Sequence, residues 1–338
     1  MSMKIYNHEQ NYNKVWTPEQ GKCIMTTLEV TVPLAGRGAK RKQAYSKASA
    51  EISAEAISSP HGKSALNPSA PLEEMELKAK ELRRHIVMMT GKAGSGHPGG
   101  SLSAVEIVTA LFFKILRHDP KNPKWTDRDR FILSKGHAAP LLYAVLAERG
   151  YFPVDELSTL RKLNSRLQGH ADMTSTPGVE MSSGSLGQGL SFSIGVALAG
   201  RLDKKDYRVY VLLGDGECDE GQVWEAAMAA AHFKLDNIVA IVDHNDLQLD
   251  GPNCDIMNLE PLPQKFKSFG WHVTEVDGHN LSQLLNVFEK AKKIKGRPTV
   301  LIAHTIKGKG VSFMEGNVDF HGKAPTAAEI EKAMGELK

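Results

Sequence analysis

The sequence reads as a doubly wound α/β domain with a mainly parallel sheet. Strand-length apolar runs at 209–213, 238–242 and 299–303 alternate with stretches of helical apolar spacing, and that alternation is the pattern of βαβ units. The first two runs each stop at a polar loop, Gly214-Asp215-Gly216 and Asp243-His244-Asn245. Both loops therefore fall on the carboxyl edge of the sheet, where open parallel sheets bind their ligands.

Taken in order, residues 1–72 read as a flexible extension with few strong apolar repeats, a basic cluster at 37–42, a Ser/Ala-rich run at 46–70 and local helix expected around 48–57. The extension lacks the apolar centre of a secretory signal. Glu9, Glu19, Glu29, Glu51 and Glu55 count against a transit peptide. The folded domain is expected over residues 73–338. It opens near Glu73, where EEMELKAKELRRHIVMM sets acids first and bases later along a helical apolar stripe. Further helices are expected at 101–114, 138–149, 187–202 and 222–233. The Ala/Met-rich face at 226–231 suits either a core or a dimer seam, because small residues let helices approach closely in both. Trp271, His272 and the Asp277-Gly278-His279 turn read as scaffold before an amphipathic helix at 281–294.

Composition narrows the function classes. The chain has 338 residues, 41% apolar and 24% charged, which is enough for one large α/β domain. Before residue 71 lie nine of the 42 Lys and Arg but only five of the 39 Asp and Glu, so the remainder is nearly balanced in charge. No basic stripe is available to follow a phosphate backbone, which argues against nucleic acid. The apolar runs are too short to span a membrane. Cys23, Cys218 and Cys254 show neither metal-ligand spacing nor an even count, as expected of a cytoplasmic, reducing compartment.

The two loops carry the chemistry. Asp215 and Asn245 offer hard oxygen ligands from neighbouring strand ends, suited to Mg²⁺ or Ca²⁺ holding a diphosphate. The glycines beside Asp215 let the backbone come close to such a ligand. A dinucleotide fold would want G-x-G-x-x-G, but the third position here is Asp219, and Glu217, Asp219 and Glu220 would repel a bare pyrophosphate. The P-loop lysine is also missing. The Lys307-Gly-Lys-Gly310 stretch imitates a phosphate loop, although its lysines read better as holding an active-site loop that carries His321.

Asp215 followed thirty positions later by Asn245 in DHNDLQLDG resembles the thiamine diphosphate motif of transketolases and their relatives. Upstream, GSGHPGGS, SKGHA, QGHA and MSSGSLGQGL follow in the order seen in the amino-terminal half of transketolases, so the resemblance covers about residues 76–330. It implies Asp215, the Asn245 side chain and the Leu247 carbonyl as ligands of Mg²⁺, with Ca²⁺ or Mn²⁺ as substitutes. Gly216 would lie against the diphosphate, His137 would contact its phosphates, and Gly184 and Leu186 would pack on and hydrogen-bond the cofactor. His97, His170 and His321 would contact the sugar hydroxyls and move protons. Glu220 would couple cofactor sites across a subunit interface; alternatively, it only favours the dipole of the next helix start. Two departures, His244 and Ser185, stand where many relatives have Asp or Asn and Pro, and they affect loop stiffness more than chemistry.

After His321 no second α/β unit follows. The resemblance therefore implies the amino-terminal subunit of a split transketolase of the pentose phosphate pathway, with a carboxy-terminal transketolase subunit supplying the pyrimidine-binding domain, its glutamate and the sugar-phosphate arginines. A heterotetramer built on a two-fold core is the expected assembly. The alternatives are a subunit of a deoxyxylulose-phosphate synthase or 2-oxo acid dehydrogenase, and a non-catalytic cofactor-binding module.

Overall fold

A computed structural model describes residues 14–17, 22–25 and 72–338. The chain divides into two units, residues 1–64 and 65–338. In the first, strands β1 (Lys14–Thr17) and β2 (Lys22–Met25) pair antiparallel, with Val15 opposite Ile24. The helix expected at 48–57, the basic cluster and the Ser/Ala run lie outside the described residues.

The second unit opens with helix α1 (Leu72–Ala93), whose buried stripe Met75, Ala79, Leu82, Ile86 and Met89 repeats at helical spacing. The helix expected at 101–114 is broken into α2 (Pro98–Leu102), α3 (Val105–Ala110) and a π-helical turn at Leu111–Ile115. The break falls at Ser103, whose hydroxyl donates to the Gly100 carbonyl and to the Asp243 carboxylate instead of facing solvent. Strand β3 (Arg130–Leu133), unforeseen from the sequence, leads to α4 (Ala139–Glu148). Its four residues begin at a charged position that masks the apolar run. Then come α5 (Gln188–Leu202), β4 (Val209–Gly214), α6 (Gly221–His232), β5 (Ile238–His244), α7 (Asn253–Ile256) and α8 (Leu262–Ser268). Strand β6 (His272–Asp277), α9 (Leu281–Ala291), β7 (Thr299–His304) and α10 (Ala327–Glu336) complete the unit.

The five strands of this unit form one parallel sheet in the order β3-β4-β5-β7-β6. Alternation along the central strands sends side chains to two different cores. Tyr210, Leu212, Val239, Ile241, Leu301 and Ala303 join the core under α1, α3, α4 and α9. Val209, Val211, Leu213, Ile238, Ala240, Val242, Val300 and Ile302 join the core under α5, α6 and α8. Covering both faces is what makes these strands read as continuous apolar runs. The alanine face of α6 goes inward, with Ala226, Ala227 and Ala230 buried, whereas Met228 is 59% exposed. Gly214 pairs with Asp243 across β4 and β5, so both polar loops leave the sheet side by side at its carboxyl edge.

Candidate functional site

Asp215 sits immediately after β4, and its carboxylate is tied to the next strand's loop. One oxygen accepts from the Gly216 amide at 2.8 Å; the other accepts from the Asn245 and Asp246 amides at 2.9 and 2.6 Å. Burial raises its pKa to about 6, so added positive charge nearby would favour the ionised form. Beside it, fully buried Asp243 gathers the Lys135 ammonium and the hydroxyls of Ser103 and Thr305. Burial opposes its ionisation, but Lys135 and these hydrogen bonds hold its pKa below the ordinary value. Lys135 also donates to the Gly100 carbonyl at 2.7 Å, locking the strand ends to the α2 loop.

A cavity of about 210 Å³ opens above this floor. It is lined by Asp215, Gly216, Asn245, Leu247, His137, Leu186 and His321, together with Gly100, Lys135, Glu217, Gln248 and Lys307. The imidazoles converge on it. Ring centroids are 4.9 Å apart for His137 and His321, 5.5 Å for His97 and His137, 5.7 Å for His97 and His321, and 6.1 Å for His97 and His170. Burial lowers the pKa of His97 to about 4 and of His321 to about 3, with nearby cations reinforcing both, so the two rings are neutral at pH 7. His137 is pushed well down for the same reasons and His170 less so. The Nδ1 atom of His97 is buried without a hydrogen-bond partner, as a group awaiting a ligand would be.

Close backbone approach makes this convergence possible. A Cβ on Gly136 would lie 2.7 Å from the Gly184 amide nitrogen, and one on Gly184 would lie 3.5 Å from the His170 ring. Only glycine at 136 lets these loops close on the rings. Gly184 thus walls the histidine cluster and does not line the cavity. Glu220 does neither: it is exposed at the amino end of α6.

The residues present fit a divalent ion with a diphosphate. Lys307 Nζ donates to the Leu247 carbonyl at 3.1 Å, so that oxygen already faces a cation. Asn245 Oδ1 accepts only at 3.3 Å, from the Leu247 amide. Two lysines, Lys135 and Lys307, and neutral His137 supply donors for phosphate oxygens. A different trio, Asp215, His244 and Asp246, also places possible ligand atoms within 4.8 Å of one another. Burial opposes protonation of His244, but its bond to Glu260 at 2.8 Å and the neighbouring carboxylates raise its pKa to about 9. His244 is held in ion pairs with Glu260 at 2.8 Å and Asp246 at 3.5 Å, whereas Asp215, the Asn245 side chain and the Leu247 carbonyl form an all-oxygen set suited to a hard divalent ion.

Three charged cavity residues escape the sequence reading as site residues. Lys135 lies inside SKGHA, where the histidine draws attention first. Lys307 does support its loop, bonding His321 Nδ1 at 2.9 Å, but it also faces the cavity itself. Glu217, expected to repel a pyrophosphate, instead turns inward. It accepts from the Ser134 hydroxyl and from the Gly187 and Gly214 amides at 2.9 and 3.0 Å, which tie down its charge.

Comparison with known proteins agrees with this geometry. The family described as "Transketolase, thiamine diphosphate binding domain" matches residues 75–337. A 6-deoxy-6-sulfo-D-fructose transketolase subunit from Clostridium sp. (strain MSTE9) is 45% identical over 78% of this chain and 96% of its own. An apulose-4-phosphate transketolase subunit from Actinobacillus succinogenes is 44% identical, covering 81% of this chain and 99% of that one. The crystal structure of transketolase from Campylobacter jejuni superposes with a TM-score of 0.75 at 34% identity, over 79% of this chain and 43% of the other. The chain thus spans nearly the whole of the two subunit relatives and less than half of the Campylobacter jejuni transketolase chain.

Proposed function

The chain belongs to the transketolase family through its thiamine-diphosphate-binding domain, and from that premise we propose that it is the diphosphate-binding subunit of a split transketolase. The complete enzyme moves a two-carbon ketol unit from a ketose phosphate to an aldose phosphate. One observation carries this reading: Asp215, Asn245, Leu247, His137 and His321 line one cavity at the carboxyl edge of the sheet, with His97 beside them. When bound, thiamine diphosphate supplies the nucleophilic carbon and the electron sink.

The chain's own residues divide the remaining work. Asp215, the Asn245 side chain and the Leu247 carbonyl hold Mg²⁺, with Ca²⁺ or Mn²⁺ as substitutes. His137, Lys135 and Lys307 hold the phosphates, Gly216 lies against them, and Leu186 and Gly184 wall the site. His97, His170 and His321 orient the sugar hydroxyls and carry protons. With Lys307 donating to Nδ1 of His321, the proton of the neutral ring resides on Nε2. Glu220, exposed at a helix start, is free to meet another protomer.

The coverage of the two separate-subunit relatives supports a carboxy-terminal partner that supplies the second half of the site. A cytoplasmic heterotetramer, two copies of each chain around a two-fold core, is the assembly proposed. Among the described residues no helix is long and apolar enough to cross a membrane. Mixing the purified chain with its partner and assaying ketol transfer from a ketose phosphate tests the reading. Activity is expected only on mixing, and robust transfer by this chain alone, with no partner seen by mass spectrometry, contradicts it.

A further inference from the structure

We propose that His279 is a positioning residue for the diphosphate cavity: together with Arg83, and through the single carboxylate of Glu106, it fixes the backbone that carries Lys307 into the site. The inference deepens the reading above and rests on it only for what the Lys307 ammonium holds. The Asp277-Gly278-His279 turn, which the sequence presents as scaffold, lies against the exit of β7. The Gly278 amide donates to the His304 carbonyl at 2.8 Å, and a Cβ at 278 would collide with the Thr305 side chain. This contact brings the His279 ring to the next residue of that chain. The Ile306 amide donates to its Nε2 at 2.8 Å, and its Nδ1 lies 2.9 Å from Glu106 Oε2. An amide donates only to a ring nitrogen that carries no proton. The ring is therefore neutral, with its hydrogen on Nδ1 donated to the carboxylate.

Glu106 holds a second tie to the same stretch. Its carboxylate pairs with Arg83 at 2.6 Å, and Arg83 Nε donates to the Lys309 carbonyl at 2.9 Å. Arg83 and Glu106 are both buried. Burial opposes ionisation of Glu106, but His279 and Arg83 hold its pKa below the ordinary carboxylate value. The charged carboxylate keeps the proton on Nδ1 and the Nε2 lone pair facing Ile306. One anion on α3 thus grips residues 306 and 309, on either side of Lys307. A further tie, from the Gly308 amide to the Gly99 carbonyl at 3.0 Å, comes from α2. A lysine head group rides on a flexible four-carbon stem, so its placement starts from its backbone. Lys307 is buried and meets the Leu247 carbonyl and His321 Nδ1, two bonds that a loosened backbone would give up first. Neither His279, Glu106 nor Arg83 lines the diphosphate cavity; all three border a separate one of about 500 Å³. Their effect on the site therefore passes through Lys307.

The wild-type full chain provides the first test. Its imidazole nitrogen resonances should show His279 with the proton on Nδ1, and a proton on Nε2 overturns the proposal. Two variants then separate the ring's bonds. In His279→Gln the amide oxygen takes the place of Nε2 and still accepts from Ile306, whereas the His279→Asn side chain reaches only as far as Nδ1. His279→Asn should free Lys307 and so raise the His321 pKa from about 3, while His279→Gln should leave it in place. Equal movement in the two variants, or none in either, overturns the positioning role. In the assembled complex with Mg²⁺, His279→Asn should weaken thiamine diphosphate binding by about three- to tenfold and should add nothing to the loss in Lys307→Met. Additive losses mean that His279 acts on the fold at large, and contradict the proposal. A wild-type complex that binds no thiamine diphosphate counts against the cofactor-binding reading instead, and the His321 titration still decides the role of His279.

Discussion

The Lys307 ammonium lies 2.9 Å from Nδ1 of His321, bridging β7's exit to the loop that carries the histidine. Burial lowers the Lys307 pKa to about 8, so the charge persists at pH 7 but is weakly held. Lys307→Met should raise the His321 pKa from about 3 toward the usual imidazole value, because the adjacent cation and donor are gone. Loss of one charged contact should also weaken thiamine diphosphate binding about tenfold. Imidazole NMR titration and calorimetry check the two effects; an unmoved His321 would show that the ammonium does not set its state.

Glu217 is an internal brace. Its carboxyl joins Ser134 after β3, Gly187 before α5 and Gly214 at the end of β4. Glu217→Ala leaves two amides, that of Gly187 buried and that of Gly214 partly so, and a buried hydroxyl without this partner, and should destabilise the fold by about 3 kcal/mol. Urea unfolding measures this, and a variant as stable as wild type refutes the bracing role.

His118 predicts part of the acid sensitivity. It is 4% exposed, bonds the Phe112 carbonyl and the Tyr151 hydroxyl at 2.9 Å each, and burial lowers its pKa to about 4. The unfolded chain takes up this proton near pH 6.5 and the folded chain does not until near 4. The associated stability is therefore full above pH 6.5 and is lost as pH falls to 4, amounting to about 3 kcal/mol. His118→Gln keeps a donor and an acceptor but does not titrate. Its urea midpoint should fall less between about pH 7 and about pH 4.5 than that of wild type; parallel decline in the two proteins excludes His118 as a source.

The site histidines should separate from the structural ones. His170 is exposed at the rim of the cluster. His170→Ala should leave the melting temperature within about 1 °C while lowering kcat/KM at least tenfold in the assembled enzyme, the signature of a group that contacts substrate. A large fall in melting temperature with full activity would assign it to the fold.

Legibility followed burial and periodicity. The strands β4, β5 and β7, covered on both faces, announce themselves as apolar runs, and their polar termini point to the edge that holds the cavity. Strand β3 is hidden because it is short and starts at Arg130. The split of the helix at Ser103 is hidden because its cause is Asp243, 140 residues away. Lys135 and Glu217 escape for a related reason: a charged residue at a strand end looks solvated until its distant partners, Asp243 and Ser134, are seen around it. His244, legible only as a departure from the family pattern, proves to be an ion-pair partner of Glu260.

The central claim is that the cavity at the carboxyl edge holds a divalent ion and a diphosphate through Asp215. Isothermal calorimetry of thiamine diphosphate binding to the assembled complex, with and without Mg²⁺, in wild type and Asp215→Ala, tests it most directly. Wild type should bind only with Mg²⁺, and Asp215→Ala should lose at least about a hundredfold in affinity, since a near-octahedral Mg²⁺ loses its only charged protein ligand in the set. Unchanged Mg²⁺-dependent binding in Asp215→Ala would contradict the account.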